Sequence, residues 1–292
     1  MHKRILVVLF LVLSYSSYAQ LSDLARIDYT IIPNTRSDVE FTRFRALFNY
    51  PIKLTSDGTY LLLGLDYSNI QLQFEKEDLP FDRRDVNDFQ LLDLSIGYTQ
   101  LLKNDWRLGV RFKPGVSTNL TAKALGVDDV VLSGDLIFIK ERLIEADRKS
   151  RWILGVSYSG NRGFNFPLPF VAYYRKFHPD WSFNVGIPKT NIQYHFSEKH
   201  RLKLYAELDG FTSNLQNGMV LDSGEAAESI NMSLIVGGFQ YEYHVIDHVE
   251  FYARSAYIFS IRNNLRNENR DNIYTIDNES TFYLRAGVRL KI

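Results

Sequence analysis

The chain has 292 residues, 34 basic against 34 acidic side chains, and no cysteine. Zero net charge gives no electrostatic pull toward nucleic acid. The missing cysteine excludes disulfide staples, thiolate metal sites, a cysteine nucleophile and a lipidated N-terminal cysteine, so stability must come from strand pairing and burial.

The first segment reads as an export signal. Met1 to Arg4 supply a positive start, Ile5 to Leu13 an apolar core, and Ser17-Tyr18-Ala19 a small-residue cleavage pattern before Gln20. We therefore expect a signal peptide over 1–19 and one mature domain over 20–292. Loss of Lys3 and Arg4 leaves 32 basic against 34 acidic residues, a charge of about −2. No later stretch approaches the ~20 apolar residues of a membrane-spanning helix.

After Gln20 the dominant period is two, the spacing that sends successive side chains to opposite faces of a strand. Residues 25–31, 39–52 and 59–74 alternate in this way, with Thr55-Ser56-Asp57-Gly58 as a tight link. The stretch 75–88 is rich in both charges and reads as a solvated loop. Leu92, Leu94, Ile96 and Tyr98 then share a face opposite Asp93. Past the Leu101–Asp105 turn, Trp106, Leu108, Val110 and Phe112 share one opposite Arg107, Arg111 and Lys113. This pair predicts a hairpin. After a loop over 118–128, whose Asp128-Asp129 pair reads as a solvated loop end, strands follow at 129–140, 152–158, 166–177, 181–187 and 190–197. Only 75–88 and 140–149 have the charge pattern of a short helix.

Further on, Leu202, Leu204, Ala206 and Leu208 alternate with Arg201, Lys203 and Glu207. A long loop is expected over 211–229, and its length makes it the best candidate for gating or recognition. A strand over 230–245 precedes one in which Val249, Phe251 and Ala253 oppose Glu250 and Arg254. A second long loop covers 263–279. The last strand alternates Phe282, Leu284, Ala286, Val288, Leu290 and Ile292 with residues that include Arg285 and Arg289.

Short links at 55–58, 103–105, 178–180, 197–200 and 246–248 mostly alternate with longer ones, the asymmetry of outer-membrane barrels with tight periplasmic turns and longer outside loops. Residues 141–150 and the tight Pro188-Lys189 turn break that rhythm. The reading is all-β: a single antiparallel transmembrane β-barrel of about 14 strands, with 12 as the alternative. In that barrel the eleven polar-face residues Asp93, Arg107, Arg111, Lys113, Arg201, Lys203, Glu207, Glu250, Arg254, Arg285 and Arg289 line the lumen. Trp106, Trp152 and Trp181 each follow a predicted periplasmic turn, at the depth where membrane interfaces concentrate Trp and Tyr.

The signal ending Tyr18-Ala19-Gln20, the Pro188-Lys189-Thr190-Asn191 turn and the terminal Gly287-Val288-Arg289-Leu290-Lys291-Ile292 together resemble an uncharacterised family of Gram-negative outer-membrane β-barrels, a domain of unknown function. The resemblance implies an outer-membrane barrel and brings no ligand or catalytic residue. The expected surroundings are outer-membrane lipid and lipopolysaccharide, with the barrel-assembly machinery engaging the terminal strand 282–292.

Candidate chemistry is sparse. His178, His200, His244 and His248 stand in or near short turns without metal-ligand spacing. Ser157, Ser159, Asn161 and His195 are the residue types of a hydrolase, but nothing in the sequence brings them together. No cofactor, metal or enzymatic activity is expected. The reading is a channel or binding barrel for a small, unspecified solute. A closed structural or surface-interaction barrel and a soluble secreted binding barrel are the alternatives.

Overall fold

The computed structural model describes residues 23–122, 124–145 and 148–291. The expected signal over 1–19 and the terminal Ile292 lie outside them. Fifteen strands follow in chain order: β1 (Ala25–Ile32), β2 (Val39–Lys53), β3 (Tyr60–Phe74), β4 (Asp88–Leu101), β5 (Trp106–Thr118), β6 (Val130–Glu145), β7 (Arg148–Ser159), β8 (Leu168–His178), β9 (Trp181–Ile187), β10 (Lys189–His195), β11 (His200–Val220), β12 (Ala226–Ile246), β13 (Val249–Arg266), β14 (Asn272–Asp277) and β15 (Phe282–Leu290).

Each neighbouring pair in the wall is antiparallel, and β1 closes on β15 in a register running from Ala25 opposite Leu290 to Ile31 opposite Leu284. β14 pairs with the far end of β13 and stays out of the wall. The barrel is therefore closed by 14 strands, and closure leaves no edge with unpaired backbone groups. The 12-strand alternative fails because residues 25–32 form a wall strand and 181–195 form two, joined at Pro188.

Four further expectations change. Residues 140–145 and 148–149 extend β6 and β7 instead of turning helical, which removes the apparent break in link rhythm at 141–150. The stretch 75–87 holds one short 3-10 turn, Arg83–Asp85. The loops expected over 211–229 and 263–279 are largely strand: β11 and β12 pair to Val220 and Ala226, and β13 runs to Arg266 before pairing with β14. Sequence spacing missed them because both faces of 210–216 and of 263–265 are mostly buried, which erases the polar/apolar alternation.

The outer wall is apolar. Leu94, Ile96, Phe112, Leu154, Leu204, Phe239 and Phe251 are exposed on it, while the intervening charged residues point inward. This is the reverse of a soluble barrel, whose apolar face fills its interior, and it rules against the soluble alternative. Near the short turns the belt turns aromatic: Trp152 lies on Tyr173 (centroids 4.4 Å apart) and Trp181 on Tyr194 (4.7 Å). A second aromatic group, Tyr257, Phe259 and Phe282, stands toward the other end. Aromatic belts of this kind mark the two membrane–water interfaces.

Candidate functional site: a charge-lined lumen under an apolar seal

The inward face changes character along the barrel axis. Starting from the short-turn end, the inward residues of β11 are Arg201, Lys203, Tyr205, Glu207 and Asp209, then Phe211 and Leu215. On β2 they are Arg45 and Arg43, then Phe41 and Val39. On β4, Asp93 gives way to Leu91 and Phe89. The same switch on β3, β12 and β13 gathers Ile70, Leu72, Met232, Leu234, Ile258 and Leu265 into one apolar core inside the long-loop half.

The extension of β11 and β12 completes that core by crossing the mouth. Asn214 pairs in parallel with Thr118 of β5, six strands away around the wall. Phe211 reaches Phe41 of β2 and Phe89 of β4, at ring-centroid distances of 6.0 and 5.5 Å. The bend sits at Gly210, whose φ of +142° is strained for a side chain and whose Cβ would meet the Met232 carbonyl oxygen at 2.0 Å. Loop 160–167 folds in beneath it, and Asn231 and Ser233 donate to the Gly163 carbonyl at 2.8 and 2.6 Å.

Amide bonds pin the crossing strand to the far rim. Asn214 Nδ2 and Gln216 Nε2 donate to the two carboxylate oxygens of Asp129 at 2.8 and 2.6 Å, the Gln216 N–H to Asn119 Oδ1 at 3.0 Å, and Ser117 Oγ to the Thr212 carbonyl at 2.7 Å. Asp129 is thus buried, not the solvated loop end that its acidic neighbour suggested. Burial raises its pKa, but the donors from Asn214, Gly126 and Gln216 outweigh that and hold it below the usual carboxylate range. From the charged stretch 75–87 the ionic side chains stay outside, while Phe81 and Val86 enter the core and Phe81 meets Phe74 and Tyr274 edge-on.

Below the seal the interior is ionic. Asp209, immediately before the bend, accepts from Arg43 (2.8 Å), Arg285 (2.6 Å) and Tyr283 (2.7 Å), tying β2, β11 and β15 together. Nearer the short turns, Glu242 accepts from Lys203 and Arg289, both at 2.5 Å, and Glu250 from Arg289, Lys291 and His244. Glu207 pairs with Lys189 (3.0 Å) and Arg254, and Arg254 also donates to Gln240. Pairing of this density offsets the cost of bringing charges into a protein interior.

Of the sequence candidates, Lys203, Glu207, Glu250, Arg254, Arg285 and Arg289 stand in this network. Arg107 donates to the Gly58 carbonyl at 2.6 Å near a short turn, and Arg201 lies opposite Glu242 and His195 in the strand registers. Asp93, Arg111 and Lys113 line a cavity of about 170 Å³ in the middle of the lumen, with Arg43, Arg45, Asp66, Asp135, Arg162 and Asp209. Sequence periodicity missed Arg43, Arg45 and Asp66, which fall in strands of weaker alternation, and Arg162, which is on a loop. Ser157, Ser159 and Asn161 also meet at this cavity, whereas His195 is held on β10 by Ser182 and Gln193. The remaining histidines are dispersed: His178 faces Asp180, His200 bonds Tyr241 and His248 faces the Lys291 carbonyl. Among the described residues no group of His, Cys, Asp and Glu gathers as a metal site would require.

Comparison with solved structures finds an outer membrane channel from Pseudomonas putida F1 (11% identity, 95% of this chain and 98% of that one, TM-score 0.46). LpxR from Salmonella typhimurium (10%, 92% and 100%, 0.43) and the NanC porin (10%, 92% and 100%, 0.40) are also similar. No curated protein matches the sequence. A family model described as a domain of unknown function, DUF6268, matches residues 14–291.

Proposed function

We infer that this chain, which belongs to the DUF6268 family of domains of unknown function, is an outer-membrane barrel that admits a small solute to its charged mid-lumen chamber and keeps its outer mouth shut. The observation that carries the reading is the polarity switch on the inward faces, which sets a water-accessible ionic chamber beneath a dry seal. The exposed apolar wall and its two aromatic groups support placement in a lipid bilayer. Short links at one end and long segments at the other support an orientation with the seal outward. In that orientation the rim around residues 75–87 meets lipopolysaccharide, and the strand Phe282–Leu290 carries the alternation that the assembly machinery engages.

The seal works as a gate because its lock and its hinge are separate. The lock is a handful of amide bonds to Asp129 and Asn119, each worth about 0.5–1.5 kcal/mol net. The hinge is Gly210, where a swing keeps the pairing of 200–209 with 234–243 and either carries along or releases the pairing of 229–233 with β13. The density of buried contacts in the seal favours a second reading, a permanently closed barrel acting only through its outer rim.

Planar-bilayer conductance separates the two. A variant in which residues 214–229 are replaced by Asn-Gly, joining Ser213 to Ile230 across their existing register, should conduct steadily, with at least a tenfold gain over the full chain. Silence in both proteins would end the solute-admitting reading and leave the closed barrel.

A further inference from the structure

Four carboxylates line the mid-lumen chamber, and every one is already engaged. Asp66 receives both Arg45 nitrogens at 2.8 and 2.5 Å. Asp93 accepts from Asn161 through both oxygens at 2.8 and 2.9 Å. Asp135 accepts from Arg111 at 2.6 Å and from Ser157, and Asp209 holds Arg43, Arg285 and Tyr283.

Five cations face these four carboxylates, and two of the five, Lys113 and Arg162, lack a close ion pair. Arg43, Arg45 and Arg111 are the partners just named. Lys113 is 6% exposed, yet among the described residues its ammonium has no hydrogen-bond or ion-pair partner. It borders the chamber between Asp93 and Asp135, whose oxygens are spent on Asn161, Arg111 and Ser157. Arg162, on the loop after β7, lines the chamber with a side chain 54% exposed, and among the described residues its one ion contact is to Asp66 at 3.9 Å. The stem of Lys113 is buried while its ammonium opens on the chamber with no carboxylate bonded to it, a position that a bound anion would complete.

We propose that Lys113 and Arg162 are the two protein halves of an anion site, which holds a small oxyanion of the carboxylate or phosphate type in the chamber. The proposal rests on the reading of the lumen as a solute chamber and names the class of that solute. The pairing suits the chemistry: a guanidinium presents a planar fork to two oxygens, and an ammonium adds a compact charge from another direction. The chamber has room for on the order of ten waters, so the anion is a small molecule and not a polymer threaded through the barrel. A mostly buried ammonium favours an anion that brings its full charge, and a neutral analogue leaves Lys113 without a bonded partner.

Isothermal titration of the refolded full chain in detergent, at constant ionic strength set by sodium chloride, tests this with sodium acetate and sodium phosphate as separate probes. Saturable binding of acetate alone identifies a carboxylate site; of phosphate alone, a phosphate site; of both, a general oxyanion site. Each of these supports the proposal if Lys113→Met and Arg162→Gln weaken binding at least tenfold. Lys113→Met removes an unpaired buried charge, so its melting temperature should equal or exceed that of the parent. Should it fail to fold, Arg162→Gln, on a loop, carries the comparison. Heat from neither anion in the parent protein, or unchanged binding in the variants, overturns the site. Binding in a protein whose open-mouth variant does not conduct would refute passage but keep the site, whereas conductance without binding would refute the site alone.

Discussion

Val39 and Phe41 stand on the same face of β2 as Arg43 and Arg45, yet the first pair builds a dry seal and the second an ionic chamber. The seal is apolar packing, non-directional, with each large buried side chain worth about 1.5–3 kcal/mol. The chamber is held by paired charges whose net contribution is small but whose loss is expensive, because each partner left behind is a buried ion. The two halves of one lumen therefore respond to opposite perturbations. The seal tolerates apolar exchange and loosens through its few amide locks. The chamber tolerates no neutralisation of its shared carboxylates.

The largest effect should come from the chamber. Asp209→Asn leaves Arg43 and Arg285 facing each other without their common anion, and we expect a loss of about 3–5 kcal/mol, measured by urea unfolding in detergent or lipid. An outer-wall counterpart should cost nearly as much by another route: Leu94→Arg places a charge on the apolar belt, at about 2–4 kcal/mol for a mid-bilayer position. Equal tolerance of Leu94→Arg and Leu94→Ala in folding yield would contradict the lipid-facing assignment.

Weaker effects should fall on the seal. Gln216→Ala removes the donor to Asp129 and leaves the carboxylate short of one partner, for about 1–3 kcal/mol. Hydrogen exchange should rise in residues 211–221 with little change in 200–209. Acid should act at the same lock. The Asp129 carboxyl is held below its ordinary value of 3.8 in the folded protein. Its contribution is complete above the unfolded pKa and is lost as pH falls through the folded one. The 211–221 amides should therefore keep their protection factors from pH 8 to about 5 and lose protection, relative to the slower intrinsic exchange in acid, as pH falls below about 4. Unaltered protection down to the lowest pH at which the barrel stays folded would show that the apolar core alone holds the seal.

Alternation made the wall legible. Leu92 to Tyr98 against Asp93, and Trp106 to Phe112 against Arg107, Arg111 and Lys113, define both faces of β4 and β5 without any knowledge of neighbours, because strand side chains alternate by geometry. The positions of the short links followed from the same local rule, whereas the even strand number came from the parity of a closed barrel, which asked for a strand before Val39. Tertiary structure alone decided what fills the barrel. A period of two says that Val39, Phe41, Arg43 and Arg45 share a face, but not that a distant hairpin will cover the first two and leave the others in a chamber. That depends on β11 meeting β5 across the mouth and on which carboxylate reaches which cation. Such contacts join residues as far apart as Asn214 and Asp129, or Arg43 and Asp209, and no local spacing encodes them. The unpartnered state of Lys113 belongs to the same class, since it exists only once every nearby carboxylate has found another partner.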